Sequence, residues 1–87
     1  MRIIEIKSMT RKDFPIYYRR FYNGIAVLEL VNETVEVPME FQIEHKPTGT
    51  IDIMIGLSKK IDYPLIPVQK ELKKYIAALD SAGKLPN

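Results

Sequence analysis

Between positions 17 and 22 the chain reads Tyr17, Tyr18, Arg19, Arg20, Phe21 and Tyr22, a run that sets flat rings beside guanidinium groups. Rings stack on unpaired bases and cationic groups neutralise phosphates. With Arg11 and Lys12 close in sequence, the candidate contacts for single-stranded nucleic acid are Arg11, Lys12, Tyr18, Arg19, Arg20 and Tyr22. A second chemistry belongs to Glu29, Glu36, Glu40, Glu44 and Asp52, whose oxygens suit a divalent cation. No constraining loop motif accompanies these carboxylates, so they read more simply as a solvated face or a docking surface for lysines, and no metal site is assigned. Catalysis finds no support. The single histidine, His45, has no spaced partner among Ser8, Ser58 and Ser81, and no glycine-rich loop precedes a helix. The expectation is a protein that binds and does not catalyse, with no cofactor.

Composition narrows the setting. The 87 residues include no cysteine, which removes disulfides and thiolate chemistry together. The first residues, MRIIEIKSMTRKDF, hold an apolar run of only two before Glu5 and Lys7, so no signal sequence, membrane span or membrane partner is expected. A soluble, cytoplasmic protein is the reading. Charge is unevenly spread: six basic and two acidic groups in residues 1–22, one and six in residues 23–57, six and three in residues 58–87.

Period-two alternation rules the first two thirds. Val35, Val37, Met39, Phe41 and Ile43 alternate with polar neighbours across Thr34 to His45, and Ile51, Ile53, Ile55 and Leu57 repeat the pattern. Asn23-Gly24 is a strong two-residue hairpin signal, which predicts strands over Ile16 to Tyr22 and Ile25 to Val31. Asn32-Glu33 and Pro47-Thr48-Gly49 supply the next turns, and Arg2 to Lys7 is a further strand. These turns pair Tyr22 with Ile25, Val31 with Thr34, and Lys46 with Thr50. One face then carries Tyr17, Arg19, Phe21, Ala26, Leu28, Leu30, Val35, Val37, Met39, Phe41, Ile43, His45, Ile51, Ile53 and Ile55. On it Arg19 is expected at the periphery or paired with a carboxylate. Pro38 predicts a bulge and strand curvature. Val68, Leu72, Tyr75, Ile76 and Leu79 then define a helix from about Pro67 to Ala82, stopped by Gly83. Lys70, Lys73 and Lys74 lie on its solvated side.

The predicted architecture is a single α+β domain over residues 1–87. It has an antiparallel four- to five-stranded β-meander with one C-terminal helix packed on one face. One helix covers one side only. The other side carries Ile16, Tyr18, Arg20, Tyr22, Ile25, Val27 and Val31, an apolar and aromatic patch large enough to imply self-association, most simply as a homodimer. A chain this small buries roughly 60 to 65% of its unfolded surface, which makes such association favourable. The same register sets Glu29 opposite Glu36 and Glu44 opposite Asp52, pairings that need a cation or a basic side chain between them.

Overall fold

The structure, a computed structural model, describes residues 1–87. Four strands, β1 (Arg2–Lys12), β2 (Arg19–Glu29), β3 (Thr34–His45) and β4 (Ile51–Leu57), pair antiparallel in chain order. One helix, α1 (Leu65–Ser81), follows and lies against the sheet. The architecture is the expected α+β meander, with four strands and no fifth. No helix is long and apolar enough to cross a membrane.

The alternation that defines β3 points Val37, Met39, Phe41 and Ile43 into the core, where Val68, Leu72 and Ile76 of α1 meet them. The sheet curls so that both of its edge strands contact the helix. The third turn forms as predicted: His45 faces Ile51, and the Lys46 N–H donates to the Thr50 carbonyl at 2.9 Å. The second slips. Glu29 faces Thr34, and the Leu30 N–H donates to the Glu33 carbonyl at 2.7 Å, so Val31 and Asn32 form the tip of the turn. The slip displaces the ladder by an even number of residues, so Leu28 and Ala26 keep their inward direction.

The first predicted turn does not exist. β2 runs straight through Asn23 and Gly24 and pairs without interruption from Arg19 opposite Glu44 to Glu29 opposite Thr34. The chain reverses earlier, between Lys12 and Arg19. A hairpin at Asn23 would make two short strands, whereas the straight course gives β2 full-length partners on both sides. Gly24 serves another purpose: it faces the core opposite Met39, and a Cβ there would lie 2.9 Å from Ile6 Cγ2 and 3.2 Å from Met9 Cγ. Removing the turn shifts residues 16–22 by one, so Tyr22 and Arg20 point to the helix while Phe21 and Arg19 turn outward.

Two further expectations are corrected. Pro38 causes no bulge. It pairs in register with Ile25, and its nitrogen faces the side where β4 has ended and Ser58 donates to the Pro38 carbonyl instead, from N–H at 3.0 Å and from Oγ at 2.8 Å. The bulges are in β1, where Ile4 and one residue of Ser8-Met9 are extra and Ser8 has φ of 54°. The helix begins at Leu65, earlier than Pro67, because Pro64 occupies the N-cap position. Pro67 then falls third in the helix, where its missing N–H has no intrahelical partner to lose. At the other end Gly83, at φ 68°, closes a Schellman motif: the Lys84 N–H donates to the Leu79 carbonyl at 2.9 Å and the Gly83 N–H to that of Asp80 at 3.1 Å.

Candidate functional site

The outer face of the sheet, away from α1, is where the sequence placed an open patch. Four cross-strand ion pairs lie over it instead. Arg2 meets Glu29 at 3.3 Å, Lys7 reaches Glu36 at 2.8 Å, Lys12 reaches Glu40 at 3.0 Å and Arg19 meets Glu44 at 3.2 Å. Lys7 stands opposite Ile25 and Glu36 opposite Val27, so the lysine stem crosses β2 diagonally and Val27 is buried beneath. The hydrogen bond to Glu36 raises the Lys7 pKa. Glu29 therefore faces Arg2 and Thr34, not Glu36, while Glu44 does stand opposite Asp52. Of the acidic row only Asp52 makes no ion pair. No group of three or more histidine and carboxylate side chains gathers as a metal would require.

The seven residues of the expected patch do not share one surface. Tyr22 is fully buried on the helix side, stacked on Phe41 with centroids 4.9 Å apart, and Arg20 points the same way. Val31 is exposed at the tip of the β2–β3 turn, and Ile16 lies in the β1–β2 connection. Ile25 and Val27 share the outer face, and Tyr18 sits at its end, just before β2.

The basic residues, by contrast, converge. Arg20 is the hub of one end of the molecule. Its Nε donates to His45 Nε2 at 3.0 Å, Nη1 to the Tyr22 hydroxyl at 3.0 Å and Nη2 to Asp80 Oδ1 at 2.9 Å. Burial works against its charge, but the Asp80 hydrogen bond and the Tyr22 contact outweigh it and raise its pKa. Arg20 thus ties β2 to β3 and to the last turns of α1. Around it Arg11, Lys12, Asp13, Phe14, Arg19 and Asn87 line a cavity of about 380 Å³. Arg19 spends Nη2 on Glu44, while its Nε is buried without an acceptor. Arg11 makes no ion pair or side-chain hydrogen bond, which leaves its guanidinium free.

Aromatic rings rim this cavity. Phe14 packs edge-on against Phe21 with centroids 4.8 Å apart, Tyr17 meets Tyr18 edge-on at 6.0 Å, and the Arg19 guanidinium lies 5.8 Å from the Tyr18 ring centre. Tyr17 is 96% exposed. Five of the six expected nucleic-acid contacts, Arg11, Lys12, Tyr18, Arg19 and Arg20, come together here; Tyr22 does not, and Arg20 is already saturated by its own partners. Phe14 and Tyr17 are absent from the sequence-based set. The signal that could have found them is Asp13-Phe14-Pro15, a turn-forming sequence that carries exposed rings once the chain reversal is placed there.

One family model matches residues 1–81, which spans all four strands and the helix. The chain belongs to the BB_0187 family. The matched span includes every residue of the aromatic and basic end except Asn87. No curated protein and no solved structure is similar enough to the chain to count as a match.

Proposed function

We propose that the chain is a non-enzymatic binding module that takes single-stranded nucleic acid at the aromatic and basic end of its sheet. The supporting observation is the convergence of Arg11, Lys12, Arg19 and Arg20 around one cavity, with exposed Tyr17 and Tyr18 beside it. The free guanidinium of Arg11 and the unpartnered Nε of Arg19 suit a phosphate, which relieves the cost of a buried donor without an acceptor. The tyrosine rings suit the bases that flank it. Glu40 and Glu44 are already joined to Lys12 and Arg19, which lessens the repulsion the acidic row would exert on a phosphate backbone. Self-association through the outer face has weaker support, because the long cationic side chains cover it.

Fluorescence anisotropy of a labelled single-stranded DNA of about 12 nucleotides tests the reading. Binding at low ionic strength should weaken steeply with salt, and Arg11→Ala should lower the salt slope by about one. Tyr17→Ser should weaken binding about tenfold through lost stacking. Absence of salt-sensitive binding, or parental affinity in both variants, refutes the proposal.

A further inference from the structure

The two edges of the sheet are built differently. The free edge of β1 is broken by two bulges, holds Ser8 in the left-handed region, and carries Arg2, Glu5, Lys7, Arg11 and Lys12. Bulges and charges of this kind block the addition of another strand. β4 has none of these devices. Its seven residues, Ile51–Leu57, pair with β3 without a register shift, include no proline, and carry one charge, Asp52. No backbone hydrogen bond joins its free edge to any other segment.

We infer that a second copy of this chain pairs antiparallel with β4 across a two-fold axis at Met54. The ladder to β3 decides which groups are free. Thr50 accepts from Lys46 at one end and Ser58 donates to Pro38 at the other, so the even-numbered residues between them bond to β3. Ile51, Ile53, Ile55 and Leu57 therefore turn their N–H and C=O groups outward. An antiparallel partner must pair odd positions with odd positions, and the only centre that keeps all seven residues in the ladder is Met54. Ile51 then faces Leu57, Ile53 faces Ile55, and Asp52 faces Gly56, where no like charge opposes it. About eight backbone hydrogen bonds form, since each hydrogen-bonded pair contributes two.

The side chains fit the same axis. The odd-numbered residues all point to the helix side, where a groove of about 520 Å³ runs beside β4, lined by Ile55, Leu57, Ile61, Tyr63, Leu65 and Gln69 among others. The partner copy's strand sets its own Ile51 and Ile53 opposite Leu57 and Ile55, and they drop into that groove. Ile51 and Met54, 37% and 41% exposed in a single copy, become covered. The single chain also exposes 5799 Å², above the roughly 5,300 Å² of a folded monomer of 10.1 kDa. Self-complementary register and charge are what favour a second copy over an unrelated strand.

Sedimentation of the full chain from about 1 to 100 µM, without nucleic acid, tests this independently of the proposed ligand. The expected species at the upper end has twice the 10.1 kDa chain mass. Met54→Lys sets like charges face to face on the exposed side of the sheet and should raise the dimer dissociation constant at least about tenfold. Its circular dichroism should remain parental. Mixing Met54→Lys with Met54→Glu should restore a dimer, because only an axis at this residue puts the two side chains opposite each other. A parent that stays monomeric throughout overturns the inference and leaves the edge to a strand of another protein. A dimer indifferent to Met54→Lys, or a mixture that does not recover, overturns it as well.

Discussion

The two faces of the sheet are closed by different chemistry. On the inner face Tyr22, Leu28, Phe41 and Ile43 exclude water by packing against Val68, Leu72 and Ile76 of the helix. On the outer face Lys7, Lys12, Arg2 and Arg19 cross or flank β2 and end on carboxylates. Their methylene stems cover apolar neighbours while their heads stay paired at the surface. The contrast shows that a sheet face need not have a second layer to lose its stickiness. It also explains where apolar surface remains, namely at the β1–β2 connection and along β4, which these side chains do not reach.

Substitutions on each face test that contrast. Leu72→Ala opens a hole under the helix and should cost about 2–5 kcal/mol in urea unfolding, with little dependence on salt. A loss near zero would mean that the helix does not seal the inner face. Arg20→Met, at the rim of the same face, leaves Asp80 and His45 without their donor and should cost about 1–2 kcal/mol. Lys7→Met on the outer face should give the smallest change, and one that salt erases. Its sign with pH is set by the raised Lys7 pKa: the contribution is complete below the ordinary lysine value of 10.5 and disappears as pH rises through the raised value. The gap in Tm between parent and Lys7→Met should therefore close in strong alkali; a gap that persists there means that the ion pair is not its source.

Legibility follows the range of the interaction. β3 and β4 can be read from alternation alone, because each has one buried face and the turn between them contains its own glycine. The stripe Val68, Leu72 and Ile76 can be read from helical spacing for the same reason. Asn23-Gly24 misleads because a turn signal is local, whereas the use of Gly24 is the room it leaves for Ile6 and Met9, a strand away in sequence. One residue of error there turns Tyr22 outward and Arg19 inward, and the expected apolar patch mixes residues of both faces. The basic half of the candidate site survives this error, because Arg11, Lys12, Arg19 and Arg20 flank the chain reversal wherever their side chains point. What Arg20 holds cannot be read at all, since Asp80 lies 60 positions away.

That long reach has a dynamic consequence. Terminal turns of helices ordinarily open on their own, long before the body of a domain unfolds. Here the closing turns of α1 are held by a guanidinium rooted in β2, so their amides should exchange with solvent in step with the central strands, and helix and sheet should open as one cooperative unit.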